Sequence, residues 1–356
     1  MRLLICTQAA DRADPFLSFF LGWITEFSKH YEHIEVVCLR EGEHSLPKNV
    51  RVHTLGKESF TTAGADSRIG RLVTRAIYIS RLWRTIVALR NEYDAVFVHQ
   101  SQEFILVGGV MWLLLGKPIY LWRNHYAGSI FTDIASMFCK KVFCTSRFSY
   151  TKKYTKSVIM PVGVDTNLFC PRAEIPRLRR SILYFARIAP SKRPHVLLES
   201  FATLRESRVK FSAAFYGSAL PIDEAYRARL AERVRTGGLS QVTFHDGVPH
   251  EQASRIFNTH DIFVNLSRSG MLDKTIFEAA ASGCIVLVAS GDLAKSVDAR
   301  CIVDDDAAAS VVKKLETLLM LMAEERAQLS SALRKFVVDN HSLAALGQRL
   351  AEEIKL

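Results

Sequence analysis

The stretch Ile182–Tyr216 reads ILYFARIAPSKRPHVLLESFATLRESRVKFSAAFY and indicates a strand, a loop, a helix and a second strand. Ile182–Phe185 is a short apolar run, Pro194–Arg205 has helical length, and Lys210–Tyr216 is again strand-like. Two strands joined through a helix by short loops are the pattern of a parallel β-α-β unit. The loop before the helix therefore lies at the carboxyl end of a parallel sheet, where such sheets bind ligands.

The same alternation of strand and helix patterns runs through most of the 356 residues. We therefore predict an α/β protein with two tandem Rossmann-like, doubly wound domains that face a cleft. The N-terminal domain is predicted at 1–170, and a linker with two prolines and several charges at 171–180. The C-terminal domain is predicted at 181–335, followed at 336–356 by a helix that can pack back on the N-terminal domain.

Composition excludes several classes of protein. Apolar residues make up 49% of the chain and charged residues 23%, which is typical of a globular protein and excludes a disordered or fibrous one. The apolar stretch Phe104–Leu115 is shorter than the about 20 residues of a membrane-spanning helix, and the start, MRLLICT, lacks the features of a signal peptide. The seven cysteines form no CxxC pair, which favours free thiols in a reducing compartment. We expect a cytoplasmic protein, with the inner face of the membrane as a second possible location.

The chain is basic, with 47 Lys and Arg against 36 Asp and Glu and a net charge of +11. In Arg68–Arg90, six arginines interleave with apolar residues at near-helical spacing, and no acidic residue occurs. Such a helix indicates peripheral contact with an anionic membrane surface. The alternative is a helix that packs its apolar side on the sheet and leaves its arginines in solvent. No nucleic-acid-binding motif accompanies the charge, so nucleic acid is not an expected partner.

Arg187 and Lys192 lie in the loop between the first strand and the helix of the quoted stretch. The turn should bring the two cations together beside a helix N-terminus, where backbone N–H groups are free to bind an anion. Two cations and a row of free N–H groups are suited to a pyrophosphate. The alternative is a solvated basic turn without a ligand.

A second loop lies within Asn265–Gly283, where a strand ends, the chain turns at Gly270 and a helix begins near Asp273. The N–H groups of this loop can hold a phosphate, and Glu278, one turn into the helix, can accept hydrogen bonds from ribose hydroxyls. A lone helical glutamate is ordinarily solvated. Here the neighbouring Ala279–Ala281 indicate close packing, which makes the solvated alternative weaker.

At this point the sequence resembles a known family. The residues that carry the resemblance are, in order, Arg187, Lys192, Gly217, Val242–Gly247, Asp261–Val264 and Glu278–Gly283. Together, over roughly residues 181–300, they resemble the GT-B fold retaining glycosyltransferases of family 4, also called glycosyl transferases group 1. The resemblance implies that the second domain binds a nucleotide-diphosphate sugar. Arg187 and Lys192 would neutralise the diphosphate leaving group, and Glu278 would hold the ribose.

The family's usual Glu-x7-Glu pattern is incomplete, because Gly270 stands where the first glutamate is expected. In the family that glutamate contacts the donor sugar, so either donor recognition differs or activity is lost. Asp273 and Lys274 offer a carboxylate and a cation in the same loop, and activity is the favoured interpretation. The donor site is expected to include, beside Arg187, Lys192 and Glu278, the residues Gly217, Val248, Gly270, Met271, Leu272, Asp273, Lys274 and Thr275.

The resemblance is looser in residues 1–172. His125 follows a predicted strand where family members carry a histidine near the donor sugar, and it is the expected catalytic residue besides Arg187 and Lys192. His99 is a second candidate on the acceptor side. The turn after the first strand lacks the family's glycines, and Asp11 and Asp14 can contact sugar hydroxyls there instead. Gly163 can give backbone access at the cleft.

No metal and no cofactor are expected. Asp304-Asp305-Asp306 contains a DxD string, but it precedes a predicted helix, where Asp is a good N-cap.

We thus expect a retaining, metal-independent glycosyltransferase of the hexosyltransferase type, which uses a UDP- or GDP-sugar. The expected acceptor is a hydroxyl of a glycan or lipid-linked glycan. The alternatives are an epimerase or phosphorylase on the same fold, and a catalytically silent nucleotide-sugar-binding protein.

Overall fold

The chain folds into two compact units in a computed structural model that describes residues 1–14, 17–59, 68–207, 209–270, 272–305 and 307–355. Unit 1 comprises Met1–Pro161 and Leu343–Leu356, and unit 2 comprises Val162–Ser342. The predicted division lay at the proline-containing segment 171–180. The structure divides the chain earlier, and it includes that segment in unit 2.

Unit 1 is built on a parallel sheet with the strand order β3-β2-β1-β4-β5-β6-β7 in its described part. The strands are β1 (Arg2–Ala10), β2 (His33–Glu41), β3 (Val50–Thr54), β4 (Ala95–His99), β5 (Ile119–Trp122), β6 (Cys139–Cys144) and β7 (Ser157–Ile159). Successive residues of β1 point to opposite faces, so Leu3 and Ile5 join one apolar core while Leu4 and Cys6 join another. Both faces of the sheet are therefore covered, as parallel sheets require.

Four helices of unit 1 connect these strands: α1 (Ser18–Phe27), α2 (Arg68–Ala88), α3 (Glu103–Leu114) and α4 (Ile130–Met137). The core that contains Phe20 and Trp23 of α1 lies on one face of the sheet. The core on the other face contains Leu82 of α2, Trp112 of α3 and Ala135 of α4. Helices α2, α3 and α4 thus form one layer.

Unit 2 has a parallel sheet with the strand order β10-β9-β8-β11-β12 in its described part. Its strands are β8 (Leu178–Phe185), β9 (Ser212–Tyr216), β10 (Val242–His245), β11 (His260–Asn265) and β12 (Ile285–Val288). Its helices are α5 (Pro194–Glu206), α6 (Glu224–Thr236), α7 (His250–Thr259), α8 (Lys274–Ala281), α9 (Ala308–Leu319) and α10 (Ala323–His341).

Side-chain hydrogen bonds explain why the predicted linker belongs to unit 2. The guanidinium of Arg177 donates to the backbone carbonyls of His260 and Ser282, the latter at 2.8 Å. The backbone N–H of Arg172 donates to the Oδ1 atom of Asn258 at 2.8 Å. Prolines and charges are typical of linkers, but here the guanidinium of Arg177 binds carbonyls at the start of β11 and just after α8.

The last helix, α11 (Leu343–Glu353), belongs to unit 1. It buries Leu346 and Leu350 in the same core as α1. A Cβ atom on Gly347 would lie 2.9 Å from the Cγ atom of Glu26, so the glycine allows the two helices to approach closely. The helix predicted at 336–356 is two elements, because its first residues are the end of α10 and α11 begins at Leu343.

Candidate functional site

The loop that carries Arg187 and Lys192 passes very close to the end of β9. A Cβ atom on Gly217 would lie 1.9 Å from the backbone oxygen of Ala186, so only glycine fits at that position. The loop ends in a 3-10 turn, Pro190–Lys192, directly before α5. Gly217 thus acts in this geometry by making room for the loop.

The two predicted cations differ in their exposure to solvent. Arg187 is exposed at the carboxyl end of β8, while Lys192 is 7% exposed. The Nζ atom of Lys192 donates to both carboxylate oxygens of Asp273, each at 2.6 Å. A buried lysine requires such a partner, because an unpaired charge in the interior is costly. The loop after β8 and the start of α8 are therefore joined through one ion pair.

Asp273 receives two further hydrogen bonds. The Nδ2 atom of Asn265 donates to its Oδ2 atom at 2.9 Å, and the hydroxyl of Ser267 donates to the same atom at 2.7 Å. Both donors lie at or just after the end of β11, within Asn265–Gly283, and no pattern in the sequence predicted a role for them. The result is a polar cluster of Lys192, Asp273, Asn265 and Ser267 at the carboxyl ends of β8 and β11, which we call the carboxylate cluster.

Lys274, the first residue of α8, lies beside this cluster. Its Nζ atom donates to the backbone oxygen of Gly163 at 2.9 Å. Burial lowers the pKa of Lys274 to about 7, although the negative charges of Glu278 and Asp165 act in the opposite direction. The residue as a whole is only half-buried, so it is the ammonium end that protein atoms surround. This lysine therefore changes its charge near neutral pH.

Glu278 is buried at 3% exposure, as its alanine neighbours predicted. Its Oε1 atom lies 3.0 Å from the Nε2 atom of His250, the first residue of α7. The ring of His250 also contacts Phe169, with 5.2 Å between the ring centres. No pattern in the sequence identified His250, because the pairing depends on the packing of α7 against α8.

The turn at Gly270 is held by residues that follow the neighbouring strand, β12. Gly270 has a φ of 88°, a conformation that glycine adopts without strain. Its N–H lies 3.4 Å from the Oδ2 atom of Asp292, and the N–H of Gly291 donates to the hydroxyl of Ser269 at 2.8 Å. This network fixes the loop between β11 and α8.

Several other residues of the predicted donor site have different surroundings. Leu272 is 7% exposed and belongs to the core of unit 2, so its side chain is a packing residue in this geometry. Thr275 is half-buried, and its Oγ1 atom has no hydrogen-bond partner among the described residues. Val248 is half-buried in the loop after β10. Met271 lies outside the described residues.

In unit 1, His125 follows β5 and is half-buried. Its Nδ1 atom lies 2.9 Å from the backbone nitrogen and 3.1 Å from the backbone oxygen of Ala127. The ring stacks on Tyr126 with 4.5 Å between the ring centres. Contacts with Ala127 and Tyr126 thus orient the ring of this histidine.

The other predicted residues of unit 1 are held within the unit. His99, at the end of β4, is 1% exposed and stacks on Phe20 at 3.9 Å between ring centres, so it is a core residue. Asp14 pairs with Arg40 at 2.5 Å and accepts from the N–H of Leu17 at 2.9 Å, which positions the chain before α1. Asp11 lies 3.6 Å from the same guanidinium.

The described residues contain no group of three or more His, Cys, Asp or Glu side chains arranged to hold a metal ion. In the acidic string, Asp305 accepts from the N–H of Ala307 at 2.8 Å, one residue before α9, and Asp304 pairs with Lys314 at 3.2 Å. Asp306 lies outside the described residues. Among the described residues, no helix is long and apolar enough to cross a membrane.

Comparisons with known proteins agree with this geometry. Residues 179–320, which include most of the described site, match the family model "Glycosyl transferases group 1". A search among curated proteins found no match.

Solved structures match over nearly the whole chain. Anabaena Alr3699/HepE, solved in complex with UDP and glucose, is 17% identical with a TM-score of 0.75, and the match covers 99% of this chain and 98% of that one. Sucrose-phosphate synthase from Thermosynechococcus elongatus is 15% identical with a TM-score of 0.75, covering 99% and 97%. WaaG, a glycosyltransferase involved in lipopolysaccharide biosynthesis, is 15% identical with a TM-score of 0.66, covering 99% of both chains. The predicted fold class and the resemblance to GT-B, group 1 proteins are confirmed.

Proposed function

We propose that the chain is a GT-B glycosyltransferase of group 1 and that it transfers a hexose from a UDP- or GDP-sugar to a hydroxyl of a glycan or lipid-linked glycan, with retention as in family 4. The observation that carries the proposal is the buried Lys192, paired with Asp273, and the exposed Arg187 in one loop after β8 of unit 2. This is the position at which open parallel sheets bind nucleotides. Alr3699/HepE, which shares the fold, was solved with UDP and glucose.

The two cations stabilise the leaving group. When the bond between the anomeric carbon and the diphosphate oxygen breaks, the electron pair stays on that oxygen, and the diphosphate gains negative charge. Fixed cations that face this oxygen lower the barrier because they need not reorganise. Arg187 is free to approach from solvent, and Lys192 exchanges part of its contact with Asp273 for the diphosphate. The same cations replace a divalent ion, so we propose that transfer requires no metal and no cofactor.

Asp273 takes over the sugar contact that Gly270 cannot make. Its carboxylate lies at the end of the loop that would carry the first glutamate of the usual pattern. A donor diphosphate that draws Lys192 away leaves Oδ1 for a sugar hydroxyl, while Oδ2 keeps its bonds from Asn265 and Ser267. Glu278, already bonded to His250, accepts from the ribose hydroxyls with its second oxygen. His125 remains the proposed catalytic residue of unit 1, with its ring oriented by Ala127 and Tyr126.

The test is a thermal-shift screen of the full chain against UDP, GDP and their sugars, followed by release of nucleotide diphosphate with glycan acceptors. A ligand at 100 times its dissociation constant stabilises by about 2.7 kcal/mol, which is readily measured. We expect one nucleotide series to stabilise the wild type and to fail with Lys192→Ala, while Lys210→Ala, an exposed lysine of the same unit, keeps the shift.

Three outcomes decide against the proposal. Donor binding without turnover of any sugar nucleotide identifies a silent binding protein. Conversion of the donor without an acceptor identifies an epimerase, and sugar phosphate as the product identifies a phosphorylase.

A further inference from the structure

The outward face of the helical layer α2–α3–α4 in unit 1 is unusually apolar. The side chains that point away from the sheet include Trp83, Val87, Val110, Leu113, Leu114, Ile130, Phe131 and Met137. Leu114 is 83% exposed and Met137 is 77% exposed. On α3, Val110, Leu113 and Leu114 follow the spacing of one helical face, opposite to the buried Trp112. Folded monomers rarely expose large contiguous apolar patches unless the patch binds something.

The three helices are packed closely enough for these side chains to share one surface. A Cβ atom on Gly108 would lie 2.8 Å from the Cδ1 atom of Ile86 in α2, and one on Gly109 would lie 3.0 Å from the Cδ1 atom of Phe138, at the end of α4. The adjacent glycines therefore let α3 approach both of its neighbours. The indole of Trp83 in α2 also donates to the backbone oxygen of Val107 in α3 at 3.0 Å.

The surroundings of this apolar face are basic. Arg71, Arg75, Arg84 and Arg90 are all exposed, and no acidic residue occurs along α2. The side chain of Arg68 lies outside the described part of the chain. Beyond α4, Lys140 and Lys152 are exposed.

The acidic residues of α3 and α4 do not balance this charge. They are Glu103 and Asp133. Asp133 pairs with Lys153 at 2.7 Å and accepts from the hydroxyl of Tyr150 at 2.9 Å, and these bonds lower its pKa to about 2. Arginines around an apolar face complement an anionic lipid surface, because phosphates bind the guanidinium groups while the apolar side chains enter the acyl boundary.

We propose that this face, made of the outward side chains of α2, α3 and α4, is a docking surface for an anionic lipid bilayer. The sequence indicated contact through the arginine-rich helix alone. The structure adds the exposed apolar side chains of α3 and α4, which extend the face beyond α2. The docking itself does not depend on the proposed function. Only its role, to bring the enzyme to an acceptor carried on a lipid, rests on that function.

The experiment is sedimentation of the full chain with vesicles of phosphatidylcholine, with and without 30% phosphatidylglycerol, in about 0.05 M and about 0.5 M salt. We expect binding to the anionic vesicles at low salt and release at high salt, where the Debye length falls below about 5 Å. Changing Arg71, Arg75 and Arg84 to Gln should weaken binding by about 100-fold, since each arginine near such a surface contributes about fivefold, or about 1 kcal/mol. Changing Leu114 and Met137 to Gln should weaken it by about tenfold.

Matched controls lie in unit 2. The triple change of Lys210, Arg233 and Lys313 to Gln removes the same charge from exposed positions and should leave binding within about twofold. The double change of Ile222 and Met320 to Gln removes exposed apolar side chains, 87% and 64% exposed, and should also leave it unchanged. Every variant should keep the nucleotide-induced thermal shift of the wild type, which separates loss of docking from loss of folding or of the donor site.

The proposal is overturned if vesicles of both kinds bind equally or not at all. It is also overturned if the control triple weakens binding as much as the arginine triple, because net charge would then be the cause. Equilibrium sedimentation of the chain without lipid adds a further check, since a dimer that dissociates on changing Leu114 and Met137 would identify a second copy as the occupant. Vesicle binding without a shift by any sugar nucleotide supports the docking face and counts against the proposed function alone.

Discussion

Replacing Lys192 with alanine should lower the free energy of unfolding of unit 2 by about 3 kcal/mol. Removing one partner of a buried ion pair typically costs about 3–5 kcal/mol, because the other charge stays buried without compensation. The side chain of Lys192 is 8% exposed, and its Nζ atom contacts both oxygens of Asp273 at 2.6 Å. We expect the lower end of the range, since Asp273 is 19% exposed and keeps its bonds from Asn265 and Ser267.

The assay is urea and thermal unfolding without ligand. For a domain of this size, a loss of about 3 kcal/mol lowers the midpoint temperature by about 6–12 °C. Asp273→Asn should also destabilise, since it leaves Lys192 buried without a counter-charge. The double variant Lys192→Ala with Asp273→Asn should lose less than the two single variants combined, with a coupling energy of at least about 1 kcal/mol.

Lys210→Ala is the matched control, because this exposed lysine should change stability by no more than about 0.5 kcal/mol. A change of the same small size for Lys192→Ala would refute the reasoning, since the pair would then contribute nothing in solution. If Lys192→Ala is destabilised as expected but keeps the shift with the best nucleotide, the ion pair is right and the diphosphate assignment is wrong.

Three further predictions concern the donor site. Arg187→Ala should reduce the rate of transfer by more than about tenfold, because about 1.5–3 kcal/mol of charge-assisted hydrogen bonding is lost. The unfolding midpoint should stay unchanged, because the side chain is exposed. An unchanged rate of transfer would contradict the prediction. EDTA should leave turnover within about twofold, a barrier change of about 0.4 kcal/mol, whereas an abolished rate that Mn²⁺ restores would point to Asp304 and Asp306. Burial lowers the pKa of Lys274 to about 7 in the folded protein, below the unfolded value of about 10.4. Between these two values the unfolded chain binds more protons than the folded one, so the free energy of unfolding rises with pH. The unfolding free energy of the wild type, minus that of Lys274→Met, should therefore rise from pH 7 to pH 8.5. A constant difference would argue against the lowered pKa.

Local patterns predicted much of unit 2. Helix α8 was expected to begin near Asp273 and end at Ala281, and it spans Lys274–Ala281 with Asp273 as its N-cap. The carboxyl ends of β8 and β11 were expected to carry the site, and they carry Lys192 and Asn265. These features follow from apolar runs, turn residues and the geometry of parallel sheets, which are all readable over short stretches.

Contacts between residues distant in sequence were not predictable in the same way. Lys192 and Asp273 are 81 positions apart, and each had been expected to contact a ligand rather than the other. His99 was expected at a binding surface because it ends a strand, but Phe20 from α1 covers its ring. Arg177 was predicted to lie in a linker, but it donates to carbonyls at the start of β11 and just after α8. In each case the partner comes from tertiary packing, of which a single sequence carries no local signal.

The placement of α11 in unit 1 has a consequence for biosynthesis. The core between α1 and the sheet needs Leu346 and Leu350, which the ribosome adds only after the whole of unit 2. At about 5–20 residues per second, the about 180 intervening residues take about 10–35 s to synthesise. During that interval the apolar side of α1 has no covering helix from its own chain. Unit 2 can complete its core first, although its residues come later, and chaperones that hold nascent apolar segments would meet unit 1 in this unfinished state.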